Sequence, residues 1–99
     1  MVYTLEEIRE KIKPAATKYN VRSIYLFGSY AKGNATEKSD IDLLTDSGLK
    51  GIKFYGFLDA LTNIFNKDID LIDIREISER SELSEEIKKT GILVYEHVN

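Results

Sequence analysis

Apolar positions along this chain recur at two alternating periods, and the switches between them mark successive helices and strands. Leu5, Ile8 and Ile12 keep helical spacing behind Thr4, and Glu7 stands three residues after Thr4 as a capping box requires. The spacing predicts a first helix to about Tyr19, kinked or restarted at Pro14, with Asn20 as a left-handed C-cap. Ser23 to Phe27 is mostly apolar and β-rich, which predicts a buried strand that Gly28 and Ser29 end sharply. Gly33 to Lys38 reads as a polar loop, Asp40 to Thr45 as a second strand, and Asp46-Ser47-Gly48 as its turn. From Lys50 to Phe65, the apolar residues Ile52, Tyr55, Leu58, Leu61, Ile64 and Phe65 recur every three or four positions, the mark of an amphipathic helix whose stripe is expected to face the core. A turn at Asn66-Lys67-Asp68 leads to a strand over Ile69 to Ile74. A short helix near Leu83 to Thr90 carries Lys88 and Lys89 in its last turn, Gly91 just past it, and a strand over Ile92 to Tyr95 after it.

That order of elements predicts an α/β (α+β) fold, with a mixed β-sheet of about four strands covered mainly on one face by helices. With 99 residues the chain is expected to form a single domain, 1–99. The helix over 50–65 carries Phe54, Tyr55, Phe57 and Phe65; core packing accounts for such a stripe, and a partner surface is the alternative.

Composition narrows the chemistry. Fourteen Lys and Arg against 17 Asp and Glu give a formal net charge of -3, unlike the basic excess of a duplex-binding module. The absence of cysteine removes disulfides, thiolate metal sites and thiol nucleophiles, and the single histidine, His97, removes histidine clusters. His97 is expected to fray and is given no role. The opening MVYTLEEIRE lacks a signal-peptide layout, and no apolar run approaches the roughly 20 residues of a membrane span. The chain therefore reads as soluble and cytoplasmic, with no membrane partner.

Three features between Ile24 and Ile74 carry candidate chemistry. Gly28 and Ser29 leave a strand where the backbone can turn tightly, with Ser29 placed to cap a short helical turn over Tyr30-Ala31-Lys32. Such a turn suits a phosphate, although Gly-Ser turns after strands are also common structural devices. Asp40 and Asp42 stand at i and i+2 of a strand, so both carboxylates project to one face while Ile41 and Leu43 face the core. An all-oxygen pair suits Mg²⁺ or Mn²⁺; a solvated strand edge would explain the same residues without a metal. Asp70 and Asp73 lie in an apolar strand, and alternation lets at most one of them join the Asp40 and Asp42 pair.

Together these are the parts of two-metal phosphoryl or nucleotidyl transfer. Their spacing, G-S-x10-D-x-D from Gly28 to Asp42, resembles the signature of the DNA polymerase beta-like nucleotidyltransferase superfamily. The strings G-S-Y-A-K-G and S-D-I-D-L-L resemble its minimal nucleotidyltransferase (MNT) domains. The resemblance extends through Ile69-Asp70-Leu71-Ile72 to Gly91-Ile92-Leu93-Val94-Tyr95. It implies the nucleotidyltransferase fold, with Gly28 and Ser29 holding the triphosphate and Asp40 and Asp42 binding two Mg²⁺. Asp70 is then the third carboxylate, beside the attacking hydroxyl. Lys32 stands where relatives often carry Arg, so the charge is kept and the bidentate fork is lost. Minimal members usually accompany a HEPN-domain protein, so the resemblance also implies an antitoxin that transfers AMP from ATP onto a tyrosine of a HEPN toxin. Two alternatives are a non-catalytic module that neutralises its partner by contact and a Mg²⁺ phosphohydrolase, which would not need the Gly-Ser turn.

Overall fold

The Thr4–Glu7 pair closes as the sequence requires. Glu7 N–H donates to the Thr4 hydroxyl at 3.1 Å, and Thr4 N–H donates to the Glu7 carboxylate at 2.8 Å. From that cap, helix α1 spans Leu5–Lys18 as one element and passes through Pro14 without restarting. Ile12, Ala15 and Ala16 are buried on either side of the proline, so packing holds the helix where a hydrogen bond is lost. Asn20 takes the left-handed conformation at φ 55°, one residue beyond the C-cap Tyr19.

A computed structural model describes residues 2–78 and 80–97 of the chain. After α1 come strand β1 (Ser23–Phe27), helix α2 (Gly28–Lys32), β2 (Ile41–Asp46), helix α3 (Ile52–Phe65), β3 (Ile69–Asp73), a 3-10 turn (Ile74–Glu76), helix α4 (Glu82–Thr90) and β4 (Ile92–Glu96). The sheet order is β3-β2-β1-β4, with β1 antiparallel to both neighbours and β2 parallel to β3. The mixed sheet predicted from the sequence is present.

Alternation sorts the strand residues onto two faces. Ile24, Leu26, Ile41 and Leu43 are fully buried and join Ile8, Ile12, Phe57, Leu61 and Phe65 of α1 and α3 in the core. The second face carries Tyr25, Leu44 and the acidic residues of interest, with α4 and the 3-10 turn lying over part of it. Coverage is therefore heavier on one face but not confined to it.

Five expectations are corrected. Ile52 and Tyr55 are 89% and 68% exposed and stand outside the core. The buried stripe of α3 is Phe57, Leu61 and Phe65, at i, i+4 and i+8. The third strand stops at Asp73 instead of Ile74, because the Asp73 carboxylate accepts the Arg75 N–H at 2.9 Å and caps the following turn. His97 is tethered: its backbone N–H donates to the Arg22 carbonyl at 2.9 Å. The other two corrections concern Ser29 and the start of β2 and belong to the site. No helix among the described residues is long and apolar enough to cross a membrane.

Candidate active site

The end of the sheet where β1 stops and β2 and β3 begin gathers the residues singled out from sequence. β2 and β3 pair in parallel with Asp42 opposite Asp70, so the two carboxylates leave the same face of neighbouring strands. Asp40 precedes Asp42 by two residues but lies just before β2, which runs Ile41–Asp46 and not Asp40–Thr45 as the sequence predicts, so strand alternation alone does not fix its face. Within the described residues, none of these three carboxylates has a hydrogen-bond or ion-pair partner. Asp73 pairs with Thr45, three residues further on, and points to the opposite face. It is buried there and held at 3.0 Å by the Arg75 guanidinium, whose hydrogen bonds lower the Asp73 pKa against the opposing effect of burial. The structure thus places Asp70, and not Asp73, with the pair.

Asp42 is the electrostatic centre of this group. Its pKa is pushed up to about 6, first by burial and then by the charges of Asp70, Asp40 and Glu86. Buried Phe27, its cross-strand partner on β1, keeps water from one side. The sign of the consequence is fixed. Between about pH 4 and 6 the folded chain holds a proton on Asp42 that the unfolded chain has released, so stability falls as pH rises through that window. At a partly exposed site, screening leaves a penalty on the order of 1 kcal/mol at neutral pH. Melting curves of the metal-free protein and Asp42→Asn, taken from pH 4 to 7.5, should therefore diverge, with the variant the more stable above pH 6. Parallel curves would mean that Asp42 carries no such strain.

Gly28 has two reasons to be glycine. Its φ is +70°, and a Cβ built on it would overlap the Asp42 carboxylate. The turn thus lies against the acidic group, a link that sequence alone does not show. Ser29 is not a cap: α2 starts at Gly28, its N-cap is Phe27, and no side chain closes its first turn. The leading N–H groups of α2 therefore lack a side-chain cap, and the Ser29 hydroxyl has no partner within the described residues. Gly28→Ala is accordingly expected to displace Asp42 and cut turnover about a hundredfold, the scale of a misplaced reacting group. It should also lower the melting temperature, whereas Ser29→Ala should leave that temperature unchanged.

Lys32, at the far end of α2, forms an ion pair with Glu86 of α4 at 3.2 Å. Glu86 is the residue that sequence reasoning missed. It reads locally as the polar side of an amphipathic helix, and only the folding of α4 over the sheet brings it within electrostatic range of Asp42. Beside Asp40 a polar cleft of about 430 Å³ opens, lined by Thr62, Asn63, Asn66 and Lys67 among others.

The donor set fits a hard divalent cation, being carboxylate oxygen without thiolate or imidazole. The uncompensated charge around Asp42 supplies the attraction for one. Among the described residues no three such side chains converge tightly enough to enclose an ion by themselves. Like charges do not draw together unaided, so closure would fall to the cation.

Comparison with known proteins identifies the family. Residues 10–98 match the family model described as polymerase beta, nucleotidyltransferase. A Methanocaldococcus jannaschii protein provisionally named a protein adenylyltransferase is 41% identical over 75 residues, covering 70% of this chain and 87% of the relative. Protein adenylyltransferase MntA of Thermococcus cleftensis is 40% identical over 70 residues, covering 62% of this chain and 71% of its own length. A crystal structure of a toxin–antitoxin with AMP-PNP superposes at a TM-score of 0.75 with 27% identity, covering 90% of this chain and 73% of that one.

Proposed function

The chain belongs to the polymerase beta nucleotidyltransferase family, and on that footing we propose that it uses Mg²⁺ to transfer AMP from ATP to a tyrosine hydroxyl of a HEPN-domain toxin, as its antitoxin. One observation carries this reading. Asp42 and Asp70 share a face of the sheet against the Gly28–Ser29 turn, Asp40 lies within electrostatic range two residues before Asp42, and among the described residues none of the three has an ion-pair partner. The relative named as a protein adenylyltransferase and the toxin–antitoxin structure holding AMP-PNP support the choice of nucleotide and partner.

Gly28 and Ser29 bind the triphosphate through the uncapped N–H groups at the start of α2. Lys32 adds positive charge from the far end of that helix. Asp40 and Asp42 would hold two Mg²⁺, with Asp70 on the ion beside the acceptor; Mn²⁺ could replace them, and either metal neutralises charge developing on the phosphate. Asp70 is exposed on the edge strand, open to an incoming hydroxyl. The hydroxyl oxygen bonds to the α-phosphorus, and the bond from that phosphorus to the α–β bridging oxygen breaks. Pyrophosphate leaves with the electron pair, and the hydroxyl proton passes to Asp70 and on to water.

ATP labelled at the α- or the γ-phosphate separates the readings when incubated with the HEPN partner. Label on the partner from α-labelled ATP alone, abolished by a chelator, is the expected result. Label from γ-labelled ATP would mean phosphoryl transfer, and an unlabelled yet neutralised partner would mean inhibition by contact.

A further inference from the structure

The second face of the sheet leaves apolar surface uncovered just below the acidic group. Tyr25 and Ile74 are 36% and 46% exposed. With Leu44, Ile77 and Ile87 they line a groove of about 410 Å³ between α4 and the 3-10 turn, where α4 adds Ser84 and Lys88. That volume lies in the range of small-molecule sites, and apolar walls with a few polar groups are their usual lining.

Its position relative to the carboxylates is set by strand register. Leu44 follows Asp42 by two residues on β2, so it shares the same face about 7 Å along the strand. Tyr25 pairs with Leu44, and Phe27 with Asp42. On β1 the groove therefore lies one same-face step behind the Gly28–Ser29 turn. Both strands place an apolar slot at roughly the span that a ribose bridges between phosphate and base. The acceptor has another approach, along β3 at the sheet edge, where Asp70 is exposed. The cleft beside Asp40 offers amides, a hydroxyl and Lys67, which suit polar groups better than the flat face of a heterocycle.

We infer that this groove seats the nucleobase of the nucleoside triphosphate, with Tyr25, Leu44, Ile74, Ile77 and Ile87 packing on its faces and Ser84 near its polar edge. The inference rests on the transferase reading above and adds where that substrate's base lies.

The test compares Mg²⁺-ATP with Mg²⁺-tripolyphosphate, a probe without a base, by calorimetric titration of the wild type, Tyr25→Ala and Ile74→Ala. Both positions are open to solvent, so the fold is expected to survive either change. Each variant should weaken ATP about tenfold, the loss typical of truncating one stacking partner, and leave tripolyphosphate unaffected. In the wild type, ATP but not tripolyphosphate should shift the methyl resonances of Leu44, Ile77 and Ile87. Unchanged ATP affinity in both variants, or base-dependent shifts at Thr62 instead, would overturn the groove assignment alone. A rise confined to the KM of the protein acceptor would also overturn it, by placing the acceptor ring there. A wild type that binds neither probe would overturn the transferase reading together with the groove.

Discussion

Asp42→Asn is expected to reduce nucleotidyl transfer by on the order of a thousandfold or more while leaving the metal-free fold intact or slightly more stable. The activity loss follows from position. Asp42 stands opposite Asp70 on the next strand and two residues after Asp40, which lies just before β2, and it packs against Gly28 of the turn proposed to hold the phosphates. Removing its charge takes away the carboxylate at the centre of the proposed metal site. The stability gain follows from its pKa of about 6: burial and three like charges make its ionised form costly at neutral pH, and a neutral amide avoids that cost. Turnover of partner labelling and thermal melting on the same preparation measure both effects. Retained turnover would remove Asp42 from the mechanism, and marked unfolding would give it a structural role instead.

Asp70→Asn and Asp73→Asn are expected to part company in the same assays. Asp70 is exposed opposite Asp42, so losing its charge should abolish most of the turnover while ATP binding, which keeps Asp40 and Asp42, is little changed. Asp73 lies on the other face, bound to Arg75 at 3.0 Å and capping the 3-10 turn. Asp73→Asn should leave turnover intact and show its cost as a melting temperature lower by about 4 °C, because the amide keeps a capping oxygen and loses the ion pair. Activity lost at Asp73 and kept at Asp70 would reverse the face assignment of β3. Full activity in both variants would mean that transfer uses no third carboxylate.

The sequence makes much of this arrangement legible because strand alternation has a period of two. Once Ile41 and Leu43 are assigned to the core, Asp42 must take the other face. A strand with Ile69 and Leu71 inward must then send Asp70 outward and Asp73 back. The capping box of α1 and the left-handed Asn20 were legible for a similar reason, since both depend on neighbours within a turn. What stayed hidden depends on tertiary approach. Ser29 has the chemistry of a cap, yet α2 begins one residue earlier and leaves it unused. The pressure of Asp42 on Gly28, and the reach of Glu86 to Lys32 from α4, follow from elements distant in sequence folding onto one another. Ile52 and Tyr55 fit the helical period of α3 but lie outside its Phe57–Leu61–Phe65 stripe, so periodicity overstated the core.

Titration of the Asp42 side-chain carboxyl carbon by NMR tests most directly whether these carboxylates form a metal–nucleotide site. In the metal-free protein the midpoint should lie at about 6. With Mg²⁺ and a non-hydrolysable ATP analogue present it should fall by about one unit or more, because a bound cation favours the ionised carboxylate, and the Asp40 and Asp70 resonances should move with it. A midpoint unmoved by saturating Mg²⁺ and analogue, with Asp40 and Asp70 equally unaffected, would contradict the account.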